Sequence, residues 1–373
     1  TLVVCNPQIS AALLSANAGP DRTIAPGAST TLEGSASGGQ PPYTYSWSPA
    51  TGLSSPTVAQ PTASPSATTT YTLTVRDAQG TTATDTMTLS VITGTVYYVA
   101  QQAPNASDGN PGTEAAPWRT LGKAASTARA GDTVLVKDGT YTETLTLTYS
   151  GTAGAPITFR AYPGAKPVID GQYARSQNVY ASNVNYVIVE GFEMIRASGN
   201  AVLFNRTQYA QLVGNHIHDG NARGVVLQSG SLGARIAYNE IHHMQDDPLC
   251  NQLEYNPAMR YDDTVIEYNY FHDCFVGHSD GIQWTSPSRN TIIRYNVVAD
   301  TTQNIYIAPD DLNVDNTQIY GNVVYNKNYT NWGKGIYVVA SAGTPATITN
   351  TQIHSNTIGN HTVGWCILPV SYT

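Results

Sequence analysis

The sequence predicts an all-β chain in two parts, a small β-sandwich followed by a long parallel β-solenoid. Three observations lead there. Segments near the amino end alternate apolar and polar residues between Gly, Pro and Ser punctuation. Further along, one short pattern recurs, with an apolar residue three before an Asn and another two after it. Composition agrees: only 12% of the 373 residues are charged, and 24 Tyr stand against five Phe and four Met. Such a surface stays soluble through hydroxyls and amides rather than charge.

The net charge of −8 argues against nucleic acid or an anionic membrane as partner. No apolar stretch is long enough for a spanning helix. The chain opens at Thr1, which reads as a mature form or a fragment. Its four cysteines, Cys5, Cys250, Cys274 and Cys366, lack the CxxC spacing of a zinc site. They are candidates for disulfides or buried free thiols, and a secreted or cell-surface setting is expected.

Residues 1–15 form an amino-terminal strand segment, "TLVVCNPQIS" and its continuation. Residues 16–93 carry "STTLEGSAS", "YTYSWSP", "TTTYTLTVRD" and "TATDTMTLSVI", with Trp47, Tyr71, Leu73 and Val75 expected at the centre of the sandwich. "NAGPDRTIAPG", "GGQPPYTYSWSP" and "YTLTVRDAQGTTATDT" resemble the polycystic-kidney-disease-like (PKD) family. That resemblance implies an immunoglobulin-like spacer or binding module in a secreted modular protein, without catalysis of its own.

Residues 94–373 form the solenoid, with a cap at about 96–145 that holds a short helix bearing Leu121, Ala124, Ala125 and Ala128. A first coil without a cap would expose an edge and an apolar end. The cap sequence resembles that of pectate-lyase-like right-handed parallel β-helices, and the fold hosts lyases, hydrolases and non-catalytic proteins alike. Behind the cap lie "LVGNHIHD", "IAYNEIHHM", "IEYNYFHDC", "IRYNVVADT", "IYGNVVYN" and "IHSNTIGN". Their asparagines, Asn215, Asn239, Asn269, Asn296, Asn322 and Asn356, follow Phe192 in the preceding slot at spacings of 23 to 34 residues. The residues two after each Asn (Ile217, Ile241, Phe271, Val298, Val324 and Ile358) should stack inside, roughly 4.8 Å per coil. The Asn amides should form a hydrogen-bonded ladder.

A second strand in each coil places Asn200, Arg223, Asp247, Asp280, Gln303 and Lys334 in one column. Two carboxylates about 5 Å apart repel, which raises one pKa or invites Ca2+. Asp247 and Asp280 are therefore the candidate Ca2+ ligands, and with Lys334, Arg223 and His278 the candidate catalytic residues. If the chain is an enzyme, a Ca2+-assisted polysaccharide lyase fits best, with Lys334, Arg223 or His278 as proton acceptor; glycoside hydrolysis by the carboxylates is the other chemistry. Tyr238, Tyr268 and Tyr295 precede Asn in three successive coils and read as an outward aromatic ladder; with Trp284 and Gln303 they are the candidate sugar contacts. His218, His242 and His272, with Asp219, His243, Asp273 and Asp300 beside them, read as corner residues that satisfy local polar groups, or more remotely as a metal site.

The carboxyl end, "GWCILPVSYT", shows no cap. Two explanations compete, a fragment or head-to-tail self-association with Cys5 and Cys366 as a covalent lock. On balance the sequence favours an extracellular structural or adhesive subunit of a filament, sheath or surface layer. A secreted polysaccharide-active enzyme and a non-catalytic glycan-binding protein are the alternatives.

Overall fold

The computed structural model describes residues 13–24, 27–92, 94–251, 259–274, 279–309, 313–326, 334–339, 347–359 and 367–369. It divides into two compact units, Thr1–Thr93 and Gly94–Thr373.

In the first unit, Arg22–Ile24, Thr82–Val91, Thr69–Arg76 and Thr44–Ser48 are neighbours in one four-stranded sheet. Two ribbons, Ser15–Asn17 with Ser35–Ser37 and Thr30–Thr31 with Thr62–Ala63, share its core. Period-two alternation along Thr69–Arg76 turns Tyr71, Leu73 and Val75 inward, where they meet Trp47, Leu32 and Met87. Both buried aromatics with polar tips find acceptors: Trp47 Nε1 donates to Val58 O (3.1 Å) and Tyr71 OH to Thr51 O (2.7 Å). The expected central residues are the central residues.

The second unit is a parallel β-solenoid wound from three long sheets, with a short fourth sheet of Ser288–Arg289, Val314–Asp315 and Ile348–Thr349 in its later coils. Among the described residues the long sheets hold ten, nine and nine strands. The first sheet runs from Val96–Val99 to Gln352–His354, the second from Gly139–Tyr141 to Thr357–Gly359, and the third from Leu145–Leu147 to Ile367–Pro369. Each coil after the cap gives one short strand to each long sheet, so contacts are almost all between neighbouring coils. The helix Leu121–Thr127 closes the amino end, burying Leu121, Ala124 and Ala125. Thr120 caps it by accepting from Lys123 N (3.1 Å), and the Glu143 carboxylate accepts from Leu121 N and Gly122 N (both 2.9 Å). A carboxylate at exposed amide N–H groups satisfies donors that have no partner within the helix.

At the corner between the first and second sheets the asparagines form the expected ladder. Each Nδ2 donates to the next Oδ1, from Asn215 through Asn239, Asn269, Asn296 and Asn322 to Asn356, at 2.9–3.0 Å. The same oxygens accept the backbone N–H of the preceding Asn, and Asn215 Oδ1 accepts that of Phe192. Just inside, Ile217, Ile241, Phe271, Val298 and Val324 are fully buried, while Ile358 is half-buried at the last coil.

Candidate functional site

The third sheet carries the charged column. Val225 pairs with Leu249, Leu249 with Ile282, Asp280 with Gln303 and Gln303 with Lys334. That register puts Arg223, Asp247, Asp280, Gln303 and Lys334 at equivalent positions on successive coils. What differs from expectation is depth. The Asp247 side chain is 1% exposed and Asp280 is wholly buried, so the carboxylates are not part of an open stripe. Gln303 is buried too. Arg223 (33%) reaches solvent, as does Asp246 (36%), the neighbour of Asp247.

Every oxygen of Asp247 is engaged. Oδ2 accepts from Arg223 Nε (3.1 Å) and Oδ1 from the Asp280 backbone N–H (2.8 Å). Arg223 Nη2 meets Asp246 Oδ2 at 3.1 Å, so one guanidinium holds two adjacent carboxylates. Burial, and then the neighbouring Asp246 charge, raise the Asp247 carboxyl to about 7, against the opposing pull of the Asp280 amide and Arg223. Asp280 Oδ2 accepts from Gln283 Nε2 (3.3 Å).

These residues do not fit Ca2+. The ion takes roughly six to eight oxygen ligands. Here Arg223 already bridges Asp246 and Asp247, and the other oxygen of Asp247 is taken by the Asp280 backbone N–H. Arg223, paired with two carboxylates, is suited to hold an anion rather than to accept a proton. Burial lowers its pKa, but Cys250, Asp246 and Asp247 together hold it above the usual value.

The other candidates divide sharply. Trp284 is fully buried, with Nε1 donating to Ser288 Oγ (2.9 Å) and its ring edge-on to Tyr261 (6.3 Å). It is a core residue and not a sugar contact; an alternating strand read in isolation does not reveal which face an indole takes. His278 and the Lys334 side chain lie outside the described residues, as do Cys5 and Cys366. Cys250 and Cys274 are buried free thiols rather than halves of a disulfide, and burial pushes both thiols up, Cys274 to about 12.

Tyr238, Tyr268 and Tyr295 do stack, at ring separations of 4.9 and 5.1 Å. They sit on a corner and not on a pleat, with φ of 58°, 55° and 56°, and are half-buried. Left-handed backbone favours Gly or Asn. Stacking and the approach of Arg235 and Arg294 to the Tyr238 and Tyr295 rings (5.9 and 5.7 Å) offset that cost. Gly321 takes the corner after Tyr295, where a Cβ would stand 2.5 Å from the Tyr295 ring.

The corner "His-Asp" pairs bond within themselves: His218 Nδ1 to Asp219 (2.9 Å) and His272 Nδ1 to Asp273 (2.7 Å). Beside them opens a cleft of about 300 Å³ lined by Tyr173, Asp219, Asn221, His243, Met244 and Asp273. Two groupings escaped the sequence reading. Glu267, buried, accepts from Arg235 on one side (2.8 Å) and Arg294 on the other (2.6 Å), tying three coils together. On the outer face of the second sheet, His216 joins His218 and His242, flanked by Glu193 and Glu240. His216 lies two residues before His218 and therefore on the same face. That signal was available in "NHIHD".

Residues 97–275 match the family described as Pel9A-like, right handed beta helix region. Over 79 residues, 21% of this chain and 16% of the other, the sequence is 49% identical to the protein YwoF of Bacillus subtilis (strain 168). Over 72 residues, 19% of this chain and 18% of the other, it is 43% identical to pectate lyase PEL9 of Emericella nidulans. The chain thus spans less than a fifth of the length of either relative. Among solved structures, pectate lyase Pel9A aligns over 72% of this chain and 79% of its own at 18% identity, with a TM-score of 0.43. The solenoid is a right-handed parallel β-helix, Pel9A-like over residues 97–275.

Proposed function

We propose that the chain is a secreted polysaccharide-active enzyme, a lyase that cleaves a uronic-acid polysaccharide by β-elimination. The observation that carries this reading is the Pel9A-like match over 97–275, a stretch that includes Arg223, Asp246 and Asp247. The 43% identity to pectate lyase PEL9 supports it. Together they favour an enzyme over the filament, sheath or surface-layer subunit that the sequence suggested first. Residues 16–93 would serve as a PKD-like spacer or binding module, with extracellular polysaccharide as the partner of the whole.

In β-elimination a base takes the proton α to the uronate carboxylate. The electron pair left behind forms a C=C bond as the C–O bond to the next sugar breaks, and the leaving oxygen takes up a proton from water. Arg223, permanently charged and one-third exposed, would face the substrate carboxylate, since a guanidinium matches carboxylate geometry. Asp247 would act as a positioning residue: it holds Arg223 Nε and never reaches solvent. The proton acceptor would come from Lys334 or His278.

The test is incubation with polygalacturonate and alginate, reading the ultraviolet absorbance of an unsaturated product and, separately, new reducing ends. Unsaturated product, reduced at least tenfold in Arg223→Ala, supports the lyase. Reducing ends without unsaturation would move the protein to hydrolysis, and neither product would refute enzymatic action on uronic-acid polymers.

A further inference from the structure

On the outer face of the second sheet, three adjacent strands, Glu193–Ile195, His216–His218 and Glu240–His242, pair in parallel register. The register sets Glu193, His216 and Glu240 side by side, with His218 beside His242 in the next outward column. The ligand atoms of Glu193, His216 and His218 lie within 4.8 Å of one another, and so do those of His216, Glu240 and His242. We propose that this face binds one divalent transition-metal ion, with His216 as the shared ligand and a carboxylate–imidazole pair from one flank completing the set.

Four features support it. Two imidazoles and a carboxylate form a donor set suited to Zn2+, Co2+ or Ni2+ rather than to Ca2+. His216 Nε2 and His242 Nε2 stand 2.8 Å apart, so at most one of them carries a proton between them and at least one turns a lone pair to the other. Two nitrogens on one tetrahedral ion, each about 2.0–2.1 Å from it, are roughly 3.3 Å apart; a shift of about half an ångström makes room. His218 is already oriented as metal-bound histidines are, its Nδ1 held by the Asp219 carboxylate at 2.9 Å while Nε2 faces Glu193 (3.3 Å). Finally, the imidazoles are half-buried and stacked, with His218 and His242 rings 4.9 Å apart and His242 and His272 rings 4.7 Å apart, which restricts their rotation. Because His216 belongs to both triads, the two cannot be filled together, and the stoichiometry is one. Such an ion would cross-link successive coils through their side chains, and it is independent of the Arg223 column and of the reaction proposed above.

The experiment uses the untagged chain, stripped with a chelator, then titrated calorimetrically with ZnCl2 and spectroscopically with CoCl2. One saturable equivalent and the intense visible bands of four-coordinate Co2+ are expected. His216→Ala should abolish both. His218→Ala and His242→Ala should each weaken binding while the double variant abolishes it, and Asp219→Asn should lose about tenfold through its hold on His218. His354→Ala, another histidine on a strand of the first sheet, should change nothing. Should His216→Ala be unstable, the wild-type Co2+ spectrum and stoichiometry stand on their own. Binding of several equivalents, unchanged affinity in His216→Ala, or no saturable Zn2+ and Co2+ binding would overturn the proposal.

Discussion

Truncating Asn269 to Ala tests whether the amide ladder, rather than the apolar column beside it, sets coil register. Asn269 is 2% exposed and its side chain makes four hydrogen bonds. Nδ2 donates to Asn296 Oδ1 (3.0 Å) and Ile236 O (2.8 Å); Oδ1 accepts from Asn239 N and Asn239 Nδ2 (both 2.9 Å). Two of those partners keep another bond after truncation. Asn239 Nδ2 still donates to Leu212 O and Asn296 Oδ1 still accepts from Asn269 N. The Asn239 backbone N–H and the Ile236 carbonyl lose the bond the Asn269 side chain gave them. At about 1–3 kcal/mol for the N–H left unsatisfied, and about 1 kcal/mol for the second bond lost by a carbonyl that stays in the strand ladder, the cost is about 3 kcal/mol. For a unit of this size that lowers Tm by on the order of 10 °C. Asn356→Ala removes the last rung, which accepts from Asn322 and donates to Ile319 O but is only part-buried. Water can replace much of what it loses, and about 1 kcal/mol is expected. Urea denaturation followed by circular dichroism, with m held common, gives both numbers. Equal costs for the two variants, or a cost below about 1 kcal/mol for Asn269→Ala, would show that the ladder follows the fold rather than fixing it.

Because the folded Asp247 carboxyl is raised to about 7, it keeps a proton that the unfolded chain has lost between about pH 4 and 7, so it makes stability fall as pH rises through that window. Asp247→Asn should remove this decline, with stability gained relative to wild type toward pH 8 at a slope of at most about 1.4 kcal/mol per pH unit; parallel stability–pH curves would contradict the burial argument. Arg223→Ala should cost about 2 kcal/mol at pH 8 and less at pH 5, where protonation neutralises the carboxyl it abandons. Gly321→Ala should destabilise by about 2 kcal/mol, since its φ is +68° and the new Cβ meets the Tyr295 ring at 2.5 Å. Added to Tyr295→Ala it should cost measurably less, and strict additivity of the two would rule out that contact. Cys250 and Cys274 should resist alkylation in the native protein and react on unfolding, as read by peptide mass spectrometry.

How much of this was legible depends on what a repeat encodes. Asn269 and Phe271 declared their places because a solenoid reuses one local geometry, so six weak matches add up to one strong statement. The register of Asp247 with Asp280 was readable for the same reason. Their burial was not, since the pattern of a single strand carries no record of how deeply each charged side chain is covered. Tyr268 stacks in a ladder as expected, but on a left-handed corner one residue past the strand, where alternation no longer sets its direction. The histidine face was half seen. His218, His242 and His272 were aligned along one column, whereas His216, Glu193 and Glu240 belong to the adjacent column, which only the register across coils brings together.

The amide ladder has a further consequence for how such a chain can change. Successive rungs are separated by 24, 30, 27, 26 and 34 residues, yet the hydrogen bonds joining them vary by only a tenth of an ångström. The differences in chain length therefore fall between the rungs, and the ladder keeps one geometry across all of them. A lineage built this way can rewrite its periphery, and with it whatever it recognises, while inheriting an unaltered axis.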